Sequence, residues 1–176
     1  MGQILVTRLP EGETSALIVE CEAYLGRKDK EAHSFRGKRT PRNEALFGPP
    51  GYAYVYLIYG LYNCFNIVAG ALDDPQAVLI RALEPLTGLD LMRQRRKKTD
   101  PKLLASGPGR LTQAMGITRE LNGTDLLGET IFIRPGAGAK PSQIAAAKRI
   151  GVDYAEEWAG KPLRFYLRDN LFVSKL

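Results

Sequence analysis

Through the N-terminal half of the chain, apolar and polar positions alternate with a period of two, which predicts strands. The run from Leu17 to Tyr24 places Glu20, Glu22 and Tyr24 on one face and Val19, Cys21 and Ala23 on the other. Upstream, Ile4–Arg8 reads as a partner strand, joined around Pro10-Glu11-Gly12 to a second strand over Ala16–Tyr24 as an antiparallel hairpin. A second hairpin follows: Tyr54, Tyr56 and Ile58 alternate with Val55 and Leu57, the pattern breaks at Tyr59-Gly60, and Tyr62–Val68 returns. Tyr59 then projects from a hairpin tip, an unusual place for an exposed aromatic.

Later elements are shorter. Ala77–Leu83 is a near-continuous apolar strand interrupted by Arg81, and a guanidinium buried there must find a partner. Thr87–Lys98 has helical spacing, with Leu89 and Met92 inward and five cations loading its end, a placement the helix dipole favours in any protein. A short helix is expected at Leu111–Met115 after Gly107-Pro108-Gly109, and strands near Thr130–Arg134 and Leu163–Leu167. Gly26–Lys38 lacks a period and reads as a loop, and Thr40-Pro41 reads as an N-cap and first helical residue of a helix ending by Gly48. Ile144–Lys148 has helical composition but is short. There is no internal repeat or linker, and the pattern predicts an α+β single domain over residues 1–176, a curved, mainly antiparallel β-sheet with short helices around it and a protruding Tyr-bearing β-hairpin.

Composition narrows the function only slightly. With 176 residues, 44% apolar and 25% charged, the chain is one ordinary globular domain. A net charge of +6 favours a polyanionic partner, although ribosomal or membrane-surface proteins share that bias. The two cysteines and single histidine argue against a disulfide framework or a zinc site, and a reduced cytoplasm is the expected home. No apolar run reaches the roughly 18 residues needed to span a bilayer, the N-terminus lacks a signal-peptide pattern, and Val6 stands where a myristoylation signal needs Ser or Thr. Arg36, Lys38, Arg39 and Arg42 crowd the basic loop, either as a solvated face or as contacts to phosphates.

Six blocks, occurring in order over most of the chain, carry a resemblance: Ile18–Gly26 (IVECEAYLG), Ala32–Asn43 (AHSFRGKRTPRN), Tyr54–Asn66 (YVYLIYGLYNCFN), Val78–Pro85 (VLIRALEP), Ser106–Ala114 (SGPGRLTQA) and Lys161–Tyr166 (KPLRFY). Together they resemble the mammalian-type alkyladenine (3-methyladenine) DNA glycosylases. The resemblance implies a monomeric, single-domain DNA-repair enzyme acting on double-stranded DNA that contains damaged purines, without cofactor or metal. Members usually carry a helical segment before the first strand. This chain begins at the strand itself, as a shortened start would, and that bears on how one sheet edge packs.

Cleaving the N-glycosidic bond of a duplex nucleotide requires the base to be extruded first. The resemblance assigns Tyr59 as the wedge that fills the vacated space in the minor groove, where an apolar plug offsets an unstacking cost of about a few kcal/mol per step; otherwise Tyr59 is a turn aromatic packing on its own sheet. Tyr24 and Tyr56 would sandwich the base with His33 completing the pocket, an aromatic cradle suited to cationic alkylpurines. Read without the resemblance, His33 is incidental and Tyr56 a core residue. Asn66 matches the position that crowds the minor-groove edge of the base and disfavours the guanine amino group; its plain reading is a satisfied strand amide. Lys38, Thr40, Arg42 and Gly109 are expected on the DNA backbone, the last through helix-start amides.

Glu22 is the candidate general base, polarising a water for attack on C1′ and stabilising an oxocarbenium-like transition state. Arg81 matches the residue that helps hold this water and keeps Glu22 ionised. Glu20 shares the face and is the decoy. A cationic alkylpurine already carries its leaving-group charge, so one carboxylate suffices where sugar glycosidases use two. No lysine nucleophile for strand cleavage lies in the blocks, which predicts a monofunctional enzyme leaving an abasic site. The rival readings are a non-catalytic nucleic-acid-binding module, which needs stacking tyrosines but neither Glu22 nor Arg81, and a nucleoside- or RNA-directed N-glycosidase, which needs no wedge.

Overall fold

Two long strands form the frame. The computed structural model describes residues 1–152 and 156–175. Strand β1 (Ile4–Leu9) turns into β2 (Gly12–Tyr24), and β3 (Ala53–Ile58), β4 (Tyr62–Val68) and β5 (Ala77–Thr87) follow after the basic loop. Then come helices α1 (Leu89–Arg96) and α2 (Pro108–Met115) and the short strands β6 (Ile131–Arg134), β7 (Ile144–Ala147) and β8 (Arg164–Leu167). The fold is α+β: one curled antiparallel sheet in the order β3-β4-β5-β2-β1-β6, with β8 pairing to both β2 and β7.

The curl has a local cause. Register shifts between Ser15 and Ala16, between Ile18 and Glu20, and between Glu20 and Cys21 interrupt the β2–β5 ladder, and such bulges bend a strand and increase its twist. Across them β2 changes its outer neighbour: Gly12–Leu17 pair with β1, whereas Glu20–Glu22 pair with β8. The sheet therefore wraps where the acidic residues stand.

Leu5, Ile18, Phe65, Ile80 and Leu83 of the strands join Met92, Leu111 and Met115 of the helices and Leu104 and Ile117 of the connections in one buried cluster. A smaller cluster, Leu46, Phe47, Tyr54, Val68 and Ala77, anchors the basic loop to the hairpin. Helix α1 starts behind Gly88 at φ +72°, where a Cβ would lie 2.5 Å from the Glu13 carbonyl oxygen; only glycine permits that approach. Helix α2 has Pro108 in its first turn and stops at Gly116, in the left-handed conformation. Among the described residues no helix is long and apolar enough to cross a membrane.

Three expectations need correction. Ile144–Ala147 is a strand, not a helical turn, and pairs with β8 through Ala147↔Arg164 and Ile144↔Leu167. So short a segment cannot sustain a helix, and β8 supplies the hydrogen bonds. Thr40 does not cap a helix: its backbone N–H and its hydroxyl both donate to Asn43 Oδ1, at 2.7 and 3.1 Å, leaving only a 3-10 turn at Glu44–Phe47. Thr87 closes β5 rather than opening α1, its hydroxyl bonded to that of Ser15 at 2.7 Å.

Leu83 is fully buried at the junction of sheet and helices. Leu83→Ala is expected to lower the unfolding free energy by about 2–5 kcal/mol, read as a fall in urea midpoint at unchanged slope.

Candidate active site

The β3–β4 hairpin, the loop before it and the start of α2 enclose a cavity of about 390 Å³ whose lining includes Tyr24, His33, Tyr56, Tyr59, Asn66, Arg81 and Gly109. Alternation delivers these side chains. Tyr24 and Glu22 lie opposite Ala77 and Leu79 of β5, both of which line the cavity, and cross-strand partners share a face. Tyr54 and Tyr56 recur at the strand period, with ring centroids 5.3 Å apart. His33 stands edge-on to Tyr56 at 4.5 Å, and its Nδ1 lies 2.8 Å from the Tyr54 hydroxyl. The Asn66 amide donates to the Tyr54 carbonyl at 3.1 Å, so it is a satisfied strand amide and a cavity wall at once.

His33 is exposed as a residue, but desolvation of its ring against Tyr54 and Tyr56, and then the nearby Arg42 and Lys38 cations, hold the imidazole below its ordinary pKa. Burial drives the Tyr24 phenol far above its usual range, and the Glu22 charge adds to the effect. Burial likewise keeps Tyr56 protonated.

Behind this wall lies a cluster of charges. Glu20 and Glu22 are both fully buried, with Arg81 and Arg164 beside them. The Arg81 guanidinium, the buried cation whose partner was sought, spans both carboxylates, with Nε 3.3 Å from Glu20 and a terminal nitrogen 3.2 Å from Glu22 Oε1. The same Glu22 oxygen accepts the Ile150 N–H at 2.8 Å, and Oε2 accepts the Tyr24 hydroxyl at 3.0 Å. A carboxylate offers about four lone-pair sites. Among the described residues Glu22 accepts two hydrogen bonds, one on each oxygen, and the Arg81 ion pair falls on Oε1. Glu22 does not itself line the cavity; Tyr24, Arg81 and Ile150, its three partners, do.

Sequence reasoning missed one pair. Asp29 and Arg149, both fully buried, form a two-pronged ion pair at 2.6 and 2.8 Å. The Arg149 guanidinium also sits 4.7 Å from the centroid of Tyr24 and donates to the Ala23 carbonyl, while its neighbour Ile150 supplies the N–H on Glu22. Asp29 meanwhile accepts the N–H groups of Leu25 and Glu31, shaping the loop that leads to His33. Nothing local marks either residue, since 120 positions separate them.

The residues expected on a DNA backbone lie around the mouth. Lys38 and Arg42 are exposed; Arg42 reaches the Leu57 carbonyl at 2.7 Å and leans over the Tyr56 ring. Thr40 is spent on Asn43, and Arg39 on Glu44 and Asp73. A Cβ on Gly109 would stand 3.0 Å from Tyr62, so glycine is what lets the helix start meet the hairpin. Tyr59, 84% exposed, occupies the tip. Its φ of +53°, followed by Gly60 at +69°, closes a turn through the Leu61 N–H to the Ile58 carbonyl. For a bulky side chain this left-handed conformation is strained, and such strain gathers at working sites.

An aromatic cavity against a buried carboxylate–guanidinium cluster belongs to an enzyme rather than to a plain stacking surface. The family model for methylpurine-DNA glycosylase matches residues 1–171. Among curated relatives, proteins named "Putative 3-methyladenine DNA glycosylase" are similar over nearly the whole chain. The one from Natranaerobius thermophilus is 48% identical, covering 99% of this chain and 89% of that protein, and the one from Methanoculleus marisnigri is 51% identical over 99% and 90%. The chain belongs to the methylpurine-DNA glycosylase family, and its enzyme class is DNA N-glycosylase.

His33 is the only histidine, so its imidazole resonance can be followed directly. Its NMR titration midpoint is expected below the ordinary 6.5, with Arg42→Gln moving it back up. Because the folded state disfavours the protonated ring, the unfolded chain takes up the proton first. The His33 contribution to stability is thus complete above about pH 6.5 and is lost as the pH falls through that value.

Proposed function

We propose that this enzyme extrudes alkylated or deaminated purines from duplex DNA into the aromatic cavity and hydrolyses their N-glycosidic bond, acting as a monomer in the cytoplasm at the nucleoid. The observation that carries the reading is the buried Glu22 carboxylate held by Tyr24, Arg81 and Ile150, three residues that themselves line a purine-sized aromatic cavity. Tyr59 enters the minor groove as the base leaves. Tyr24 and Tyr56 hold the extruded ring and His33 contacts its edge, with Asn66 set against the amino group of an undamaged guanine. Lys38, Arg42 and the Gly109 amide hold the flanking phosphates, while Thr40 holds the turn between them through Asn43.

Water bound by Glu22 and oriented by Arg81 then attacks C1′. Its oxygen bonds to C1′, its proton passes to Glu22, and the C1′–N bond breaks with its electron pair leaving on the base. For a cationic alkylpurine that pair neutralises the ring, so the leaving group needs no proton. The buried negative charge also stabilises the oxocarbenium-like sugar, and the low-dielectric surroundings strengthen that effect.

Single-turnover base release from duplexes carrying one alkylated adenine or one hypoxanthine tests this. Wild type is expected to free the base, and Glu22→Gln to lose about a hundredfold to ten-thousandfold of the rate while still binding the DNA. Folded wild type that binds both duplexes but frees neither base would establish a binding module instead.

A further inference from the structure

Glu20, the decoy of the strand pattern, accepts three hydrogen bonds where Glu22 beside it accepts two. Its Oε1 accepts from Arg81 Nε at 3.3 Å and from an Arg164 terminal nitrogen at 2.9 Å, and its Oε2 accepts the Ser174 N–H at 2.7 Å. The same Arg164 nitrogen donates to the Lys175 carbonyl. One buried carboxylate thus ties the C-terminal segment to Arg81, and Ser174 and Lys175 line a second cleft that shares Arg81, Gly109 and Ile150 with the first.

We infer that Glu20 is a positioning residue for the hydrolysis proposed above, holding Arg81 by its Nε edge so that the guanidinium cannot close two-pronged on Glu22. Arg81 meets Glu20 through Nε and Glu22 through one terminal nitrogen on Oε1, and among the described residues Glu22 Oε2 accepts only the Tyr24 hydroxyl. A guanidinium carries donors in a planar fork that matches both oxygens of a carboxylate. With Glu20 neutral, Arg81 loses its competing anion, turns its fork onto Glu22, and fills the site the water needs.

A pH signature follows from the groups around Glu22. Glu20 and Tyr24 come from its own strand, Arg81 from β5, Arg164 from β8, Arg149 from the segment after β7 and the Cys64 thiol from β4. Of these only Glu20 repels a charge on Glu22, while Arg149 is matched by Asp29. Removing the Glu20 charge leaves Arg81 and Arg164 facing Glu22 alone, which favours its ionised form.

The test compares the pH dependence of single-turnover base release, from a duplex carrying one alkylated adenine, for wild type and Glu20→Gln, together with affinity for the same DNA. In Glu20→Gln the plateau rate is expected to fall about tenfold to a hundredfold, the acid limb to move to lower pH, and DNA affinity to stay unchanged. A limb coinciding with that of wild type overturns the inference whatever happens to stability, because a merely structural role lowers the folded fraction without moving the limb. If Glu20→Gln does not fold, Ser174→Pro decides, since it deletes one N–H donor to Glu20 near the chain end. Slower release at unchanged melting temperature and DNA affinity supports the role of Glu20, and release at the wild-type rate overturns it. Wild type that frees no base overturns the proposed function itself, a result distinct from coincident limbs in an active enzyme.

Discussion

Everything on the inner side of this sheet depends on keeping four buried charges neutral. Glu20 and Glu22 face Arg81 and Arg164 with almost no solvent between them. The desolvation cost of such a cluster is offset only by close geometry and by further hydrogen bonds to its charged groups. Those bonds come from distant backbone: the Ile150 and Ser174 N–H groups on the carboxylates, and the Lys148 and Lys175 carbonyls on Arg164. The cluster is therefore complete only when the C-terminal part of the chain has closed over β2. Folding and assembly of the site are one event, which places Glu22 on a rigid strand rather than on a loop.

The aromatic side of the cavity follows a different logic. Tyr54 and Tyr56 are held by strand pairing to β4, and the second hydrophobic cluster braces them from below, so the wall is preformed. Burial keeps the phenols protonated, so the wall presents neutral rings to the cavity. The tip of the same hairpin is the opposite case. Tyr59 is 84% exposed and held in a strained turn, a combination that costs stability.

Between the two sides runs the Asp29–Arg149 pair. It joins the loop leading to His33, the back of Tyr24 and the amide that reaches Glu22. A paired, fully buried guanidinium over one face of Tyr24 restricts that ring to the position in which its hydroxyl meets Glu22. The cation and the carboxylate thus orient the same phenol from opposite ends, and the aromatic cavity is coupled to the charge cluster through it.

Local pattern alone determined the strands from β1 to β5, the Tyr-bearing hairpin and the face shared by Glu20, Glu22 and Tyr24, because the period-two alternation and the Gly and Pro breaks are written into neighbouring residues. It also marked Arg81 as a cation in need of a partner. Tertiary structure decided the rest. Ile144–Ala147, helical by composition, became a strand because β8 offered a ladder; Thr40 turned its hydroxyl to a buried asparagine instead of a helix end. The bulges that bend β2 at Ile18–Cys21 have no compositional mark. That Ile150 meets Glu22 and Ser174 meets Glu20, and that Asp29 meets Arg149, depended on contacts between segments more than a hundred residues apart. Sequence periodicity reports only what adjacent side chains share, whereas the balance of buried charge is set by whatever the closed fold brings within hydrogen-bonding distance.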